Sequence, residues 1–231
     1  MADLNLIFNN IYKDNKWGGT GCEKEGNGSG IGSEPSTTIV LQDILIEFMK
    51  SKACKSILDS PCGACKWTQH MIARGLNEVS GFKYCGVDIA PEAIQRAAET
   101  LGGREFGANI KLELKNMCTD LLAPNYDVIL CRDALQHLSH VNITKALINF
   151  ASTPGVVWIL LGGYPNGKNT DIIDGEYFDF NPTAEPYCLM PERVFDEQHP
   201  VQNHAPKHLF VYHVDYFKSR VSSLKIKTSS K

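Results

Sequence analysis

The sequence of 231 residues lacks any uninterrupted apolar run of the roughly 18 residues that a membrane-spanning helix needs. Its first residues, MADLNLIFNN, also lack the basic region, apolar stretch and small-residue cleavage site of a secretory signal. These two absences predict a protein of the cytoplasm without a membrane span. A concentrated positive charge is missing too, because the net charge is -3 and the Lys and Arg residues are scattered. We therefore expect no nucleic-acid partner.

What is present is an ordinary globular composition, with 43% hydrophobic and 21% charged residues. The length fits a single large domain. Residues 1–36 are rich in Gly, Asn, Ser and Lys, and they predict an N-terminal lid segment with a short helix over 4–12. Residues 37–231 are predicted to form the main domain. Nothing in the sequence indicates an oligomeric state.

Strand-like and helix-like patterns alternate after residue 37. Helices are predicted over 37–50, 66–74, 91–101 and 141–150. Strands are predicted over 56–59, 84–88, 110–116, 126–131, 156–161, 208–214 and 222–227. The alternation predicts an open, mostly parallel, seven-stranded doubly wound α/β sheet. The strand over 208–214 is expected at the edge, with 222–227 pairing antiparallel to it, and 162–200 as a long loop.

Two acidic residues end consecutive predicted strands. Asp59 ends the first strand, in LDSPCGACKW, and Gly63 in the next turn allows a ligand to approach the backbone closely. Asp88 ends the second strand, where an acid can accept hydrogen bonds from both ribose hydroxyls of a nucleoside cofactor. The loop keeps one of the three glycines of a dinucleotide motif, which disfavours a pyrophosphate cofactor. A tight turn with a helix-capping Asp remains the alternative interpretation.

These motifs resemble the class I S-adenosylmethionine-dependent methyltransferases, and in particular a small subgroup with an N-terminal Trp and a Ser-Gly-x-Gly-Ser turn. The matching positions are Asp59, Pro61, Cys62, Gly63 and Trp67 in the first loop, and Trp17, Ser29, Gly30, Gly32 and Ser33 near the N-terminus. The resemblance extends through CRDALQHLS and through Asn169, Asp171, Ile172 and Gly175, and so covers nearly the whole chain. Two departures are Ala64, where the subgroup often has an acid, and Asn116, where an Asp is common.

The resemblance implies S-adenosylmethionine as cofactor and S-adenosylhomocysteine as product. The first loop would hold the methionine part, Asp88 the ribose, and Asn116 with Met117 the adenine. The N-terminal segment would close over the sulfonium and exclude water. The implied cofactor-binding residues are Trp17, Ser29, Gly30, Ser33, Asp59, Pro61, Cys62, Gly63, Trp67, Asp88, Ile89, Asn116, Met117 and Cys131.

Candidate catalytic residues follow the fourth predicted strand. If the chain turns helical after Arg132, then Asp133 and His137 are four residues apart and share a face. We predict that Asp133 and His137 remove the proton from a hydroxyl acceptor and that Arg132 orients them. The alternative is that Asp133 caps the helix and His137 packs beneath a loop. His137 and His140 have no third metal ligand at a suitable spacing, so we predict no metal site.

The acceptor is expected to be a small molecule or a glycan, because members of the subgroup are often associated with glycan biosynthesis. O-methylation of a sugar hydroxyl is the first expectation, followed by methylation of a small metabolite and then of a protein side chain. Tyr164, Tyr177 and Trp67 are candidates for lining an acceptor pocket. Two other classes stay open: a thiol–disulfide redox protein using Cys62 and Cys65, and a binding module that has lost catalysis.

Overall fold

The computed structural model of the chain describes residues 3–18, 28–102, 109–198 and 205–224. The helices are α1 (Leu4–Lys13), α2 (Ile39–Ser51), α3 (Thr68–Met71), α4 (Pro91–Gly102), α5 (His140–Ser152) and α6 (Val214–Val221). The strands are β1 (Ser56–Asp59), β2 (Lys83–Asp88), β3 (Ile110–Leu114), β4 (Val128–Cys131), β5 (Trp158–Gly163), β6 (Arg193–Asp196) and β7 (His208–His213). Among the described helices, none combines the length and the apolar character required to span a bilayer.

The strands form one seven-stranded sheet in the order β3-β2-β1-β4-β5-β7-β6. β1 to β5 run parallel, whereas β7 is antiparallel to both β5 and β6. The central strands are buried on both faces, which is why they are mainly apolar and do not alternate between apolar and polar residues. Side chains of β1, β4 and β5 alternate between a core with α5 and α6 on one face and a core with α2, α3 and α4 on the other.

The predicted mostly parallel sheet with an antiparallel strand at one end is confirmed. The predicted last strand is wrong for residues 222–224, which are not in a strand, and residues 225–227 lie outside the described part. The strand that completes the seven-stranded sheet is instead β6, which lies within residues 162–200, the range predicted as a long loop. Its four residues are mostly exposed, so no buried alternation marks it. The strand predicted at the edge of the sheet, β7, is not the edge strand, because β6 pairs with it on the outer side. Helix α6 was not predicted.

Helix bounds differ from the predictions in ways that follow local packing. The helix predicted over 37–50 begins at Ile39, after a 3₁₀ turn over Pro35–Thr37. The helix predicted over 66–74 is split into α3 and a π-helical turn over Ile72–Leu76. The short helix predicted at 4–12 is confirmed as α1.

Strand order reverses direction between β1 and β4, which are neighbours in the middle of the sheet. Ligands of open α/β sheets bind at the carboxyl ends of the strands beside such a point. Asp59 pairs in register with Gly86 of β2 and with Leu130 of β4. The ends of β1, β2 and β4 therefore meet, and the residues that follow them form the site.

Candidate active site

A cavity opens at the carboxyl ends of β1, β2 and β4, with about 870 Å³ of empty space, part of it open to solvent. Small-molecule sites commonly have this size. Its lining includes the predicted residues Trp17, Ser29, Ser33, Asp59, Pro61, Cys62, Gly63, Trp67, Asp88, Ile89, Asn116, Met117, Arg132, Asp133 and His137. Gly30 and Cys131 are not among its lining residues. Cys131 is buried in the core, and a Cβ on Gly30 would lie 3.7 Å from Trp17 Cβ.

Sequence reasoning missed several lining residues, namely Leu4, Phe8, Tyr12, Ser60, Val87, Lys115, Cys118, Ala134 and Leu138. Leu4, Phe8 and Tyr12 recur every fourth residue on α1 and therefore share one face of the helix. That spacing could have identified α1 as the apolar roof of the cavity.

Asp88 lies at the end of β2 and is only 4% exposed. The backbone N–H of Gly63 donates to its Oδ2 at 3.0 Å, and the N–H of Ala90 donates to its Oδ1 at 2.9 Å. Burial raises the pKa of Asp88 to about 6, although these backbone N–H groups oppose the rise. Each carboxylate oxygen can accept a further hydrogen bond. Asp88 is thus a desolvated acceptor facing the cavity.

Asp59 is a second buried carboxylate in the cavity wall. The hydroxyl of Tyr84 donates to its Oδ2 at 2.7 Å. Burial raises the pKa of Asp59 to about 7, and the nearby Asp88 adds to the rise. Two such acids on one cavity favour a ligand that brings hydroxyl or ammonium donors.

The first loop and the N-terminal segment pack directly against each other. Gly63 has a φ of +54°, and a Cβ there would lie 2.8 Å from Ser29 Oγ and 3.0 Å from the Tyr12 hydroxyl. The two hydroxyls are hydrogen-bonded at 2.8 Å, and Ala64 N–H donates to Ser29 Oγ at 3.4 Å. Glycine is therefore required at position 63 both by its backbone angle and by this close approach.

Helix α1 is held over the cavity by the start of α4. The N–H of Glu92 donates to Asn9 Oδ1 at 3.1 Å, and Arg96 Nη2 donates to the carbonyl oxygen of Tyr12 at 3.0 Å. Trp17, just beyond α1, stacks on His137 with ring centroids 4.5 Å apart. The N-terminal segment thus covers the cavity both beside α4 and beside His137.

Asn116 and Met117 occupy the turn that follows β3. The amide oxygen of Asn116 accepts a hydrogen bond from Cys118 N–H at 2.9 Å, and the Met117 carbonyl accepts one from Asn149 Nδ2 at 2.8 Å. These contacts fix the turn at the side of the cavity next to β2. The predicted adenine-binding residues are therefore placed beside Asp88, in the same cavity.

His137 has a defined tautomer. Its Nδ1 lies 2.8 Å from the carbonyl oxygen of Glu176, which can only accept, so Nδ1 carries the proton. The neutral ring then has its lone pair on Nε2. Burial lowers the pKa of His137, which keeps the ring neutral near pH 7. His137 is therefore suited to accept a proton from a group in the cavity.

Asp133 has a different environment. The chain does not turn helical directly after Arg132, because Asp133 has a left-handed φ of 52° and the next turn is the 3₁₀ turn over Leu135–His137. Asp133 Oδ2 lies 3.0 Å from Arg132 Nη1 and 2.6 Å from Lys207 Nζ. Burial raises the pKa of Asp133, but Arg132 and Lys207 outweigh it and hold that pKa well below its usual range. Asp133 is consequently a weak proton acceptor.

Arg132, Asp133, Glu197 and Lys207 form one buried group, called here the charge cluster. Arg132 Nε and Nη2 donate to Glu197 at 3.0 and 2.7 Å, and Arg132 Nη1 donates to the Gly32 carbonyl at 2.9 Å. The sequence analysis missed Glu197 and Lys207, because no motif surrounds them. They meet where the chain returns from β6 to β7, with Glu197 N–H donating to the Lys207 carbonyl at 2.9 Å.

Cys62 and Cys65 are both buried and reduced. A hydrogen bond with Cys65 makes the largest contribution to raising the pKa of Cys62 well above its usual range, and burial makes the second largest. Redox-active thiols instead need a lowered pKa and partial exposure. The geometry therefore disfavours the redox interpretation of this pair.

Residues 58–153, less than half of the chain, match a family described as a methyltransferase domain. Among curated proteins, none matches the sequence significantly. The fold is similar to the magnesium protoporphyrin IX methyltransferase ChlM from Synechocystis PCC 6803, crystallised with S-adenosylmethionine (12% identity, 92% of this chain and 98% of that one, TM-score 0.61). Another structure of that enzyme contains S-adenosylhomocysteine.

Two further structures are similar. One is the methyltransferase domain of bacterial CtHen1 (16% identity, 75% of this chain and 97% of that one, TM-score 0.57). The other is the N-methyltransferase NodS from Bradyrhizobium japonicum WM9 (15% identity, 79% and 98%, TM-score 0.54). The family matched by residues 58–153 and the structures similar in fold are both those of methyltransferases. The predicted Rossmann-like methyltransferase fold is confirmed, and the predicted cofactor agrees with the similar structures.

Proposed function

We propose that this chain is an S-adenosylmethionine-dependent methyltransferase that transfers a methyl group to a hydroxyl of a sugar or glycan. The observation that carries the cofactor assignment is the buried carboxylate of Asp88, which faces the cavity from the end of β2. Its pKa is raised to about 6 because water has been excluded and only backbone N–H groups compensate. Two ribose hydroxyls would supply the missing donors.

The other residues of the cavity fit the same cofactor. Asp59 is a second desolvated acceptor, suited to the ammonium of the methionine part. Asn116 and Met117 offer polar and apolar contacts for an adenine beside Asp88. Bound S-adenosylmethionine supplies an electrophilic methyl group on its sulfonium. The apolar face of α1 keeps water away from that end of the cavity.

His137 is the proposed general base. Its Nδ1–H is engaged by the Glu176 carbonyl, so Nε2 is the nitrogen that can take the hydroxyl proton. Asp133 is already paired with Arg132 and Lys207, and we assign it to orienting the segment that carries His137. Arg132 holds Gly32, and with it the N-terminal segment, at the cavity.

The acceptor assignment follows the resemblance to methyltransferases associated with glycan biosynthesis. The surroundings of His137 are compatible with it. The ring of Tyr177 lies 5.6 Å from the His137 ring and is 54% exposed, and the Tyr177 hydroxyl donates to Asp179 Oδ1 at 2.6 Å. Aromatic faces and hydroxyl–carboxylate pairs are groups that a sugar ring can contact.

Calorimetric titration with S-adenosylmethionine and S-adenosylhomocysteine tests the cofactor assignment. We expect micromolar binding by the wild type and at least about 100-fold weaker binding by Asp88→Asn, because charge-assisted hydrogen bonds contribute roughly 1.5 to 3 kcal/mol each. Asp215→Asn, which changes an exposed acid on α6, is the matched control and should bind normally. Failure of the wild type to bind either compound would overturn the proposal.

A screen of sugars, small metabolites and peptides, with release of S-adenosylhomocysteine as the signal, tests the acceptor assignment. With a sugar acceptor, His137→Gln should lower kcat by roughly 10² to 10⁴ while leaving cofactor binding intact. Turnover confined to amine or peptide acceptors would contradict the sugar assignment. Unchanged kcat in His137→Gln would remove its role as base.

A further inference from the structure

The loop over residues 171–178, called here the clamp loop, is fastened to the segment that carries His137. The Gly175 N–H donates to the His137 carbonyl at 2.8 Å, and the Phe178 N–H donates to the Gln136 carbonyl at 3.1 Å. The Glu176 carbonyl in turn accepts from His137 Nδ1 at 2.8 Å. Backbone groups of the clamp loop therefore contact both the main chain and the ring of His137.

Two carboxylates attach the clamp loop to the start of α5. Asp174 Oδ1 accepts from Ser139 N–H at 2.7 Å, and its Oδ2 accepts from Asn142 Nδ2 at 2.9 Å. Asp171 Oδ1 accepts from His140 N–H at 2.8 Å. The first N–H groups of a helix have no partner within the helix, so an acid from elsewhere binds them strongly. Asp174 binds one such N–H, that of Ser139, as well as the side-chain amide of Asn142, and it is two residues from Glu176.

We infer that Asp174 is a positioning residue that fixes the tautomer and orientation of His137 through the Glu176 carbonyl. The inference rests on the proposed function, in which His137 Nε2 accepts the proton of the acceptor. A histidine nitrogen that donates to a fixed carbonyl forces the lone pair onto the other nitrogen. If Asp174 no longer holds the clamp loop, that constraint is lost and Nε2 carries the proton in part of the molecules. Such molecules cannot act as base at Nε2.

Nitrogen NMR of protein labelled with ¹⁵N-histidine tests this assignment without an acceptor. The His137 signals are identified by their loss in His137→Gln, and thermal unfolding and S-adenosylhomocysteine calorimetry are measured on the same samples. In the wild type we expect the Nδ1–H tautomer. In Asp174→Ala the ratio of tautomers should shift about tenfold toward Nε2–H, as the loss of about one hydrogen bond predicts.

Two variants separate positioning from general stability. Asp174→Asn keeps an oxygen for Ser139 N–H and should largely restore the wild-type tautomer. Asp171→Ala removes a comparable cap from the same helix end, so it should lower Tm by a similar amount without changing the His137 signals. An unchanged tautomer in Asp174→Ala, or an equal shift in Asp171→Ala, would overturn the inference. Absence of cofactor binding by the wild type would instead overturn the proposed function.

Discussion

The acidic side chains on the two sides of the cavity have pKa values shifted in opposite directions. On the side proposed to bind the cofactor, Asp59 and Asp88 have hydroxyl and backbone N–H partners, and burial raises their pKa values to about 7 and about 6. On the side proposed to bind the acceptor, Asp133 is paired with Arg132 and Lys207, which hold its pKa far below the usual range despite burial. The first pair of acids is thereby available to a ligand. The third acid, Asp133, is already held in ion pairs with Arg132 and Lys207.

The charge cluster offers the largest expected effect. Among the described residues, Glu197→Gln leaves Asp133 as the one carboxylate paired with the buried guanidinium of Arg132, and removal of one partner of a buried pair costs roughly 3 to 5 kcal/mol. Chemical denaturation should report this loss in the free energy of unfolding. Glu192→Gln is the control, because its ion pair with Lys52 is exposed and contributes at most about 1 kcal/mol. Equal effects of the two variants would remove the distinction between buried and surface pairs.

The titration of Asp88 offers an intermediate effect. Its folded pKa of about 6 exceeds the unfolded value near 3.9, so its protonated form stabilises the fold below about pH 4, and this stability is lost as pH rises through 6. Asp88→Asn removes this titration. The stability of the ligand-free variant relative to wild type should therefore increase between pH 4 and pH 8, by about 2 to 3 kcal/mol.

Unfolding measured at several pH values checks that increase. Titrating groups that do not interact with Asp88 cancel in the comparison with wild type, whereas Asp59, whose pKa Asp88 raises, contributes to the difference. The affinity of the wild type for the cofactor should rise with pH through about 6 as Asp88 ionises, whereas the contribution of Asp88 to wild-type stability falls over the same range. A relative stability that does not depend on pH would contradict the comparison between the two sides of the cavity.

The contact between the clamp loop and α1 offers the smallest effect. Gly175 has a φ of +94°, and a Cβ there would lie 2.8 Å from Ile7 Cγ2, whereas Gly81 has a φ of +76° with no atom within 4 Å of its Cβ position. Gly175→Ala and Gly81→Ala should each cost about 1 to 2 kcal/mol of backbone strain. Gly175→Ala should additionally displace α1 and weaken cofactor binding a few-fold by calorimetry. Equal binding by both variants would show that α1 does not depend on the clamp loop.

Much of the sheet was predictable because its signals are local. The buried strands β1, β2, β4 and β5 are short, mainly apolar runs bounded by turn residues, and β1, β2 and β4 are each followed along the chain by a helix. β6 was missed because three of its four residues are exposed and it is held by pairing with β7. Helix α6 after β7 was also missed, because its eight residues give only a short apolar pattern.

The same division holds for the site. Asp59, Gly63 and Asp88 belong to two consecutive strand–turn units, so the sequence by itself determined that they meet at one edge of a parallel sheet. Only the tertiary structure decided the partners of Asp133 and His137. Lys207 and the carbonyl of Glu176 come from segments far along the chain, and their contacts depend on how β6, β7 and the clamp loop pack. Because ionisation and tautomer follow from such distant neighbours, residue type and spacing could propose both as the base, and the fold favoured His137.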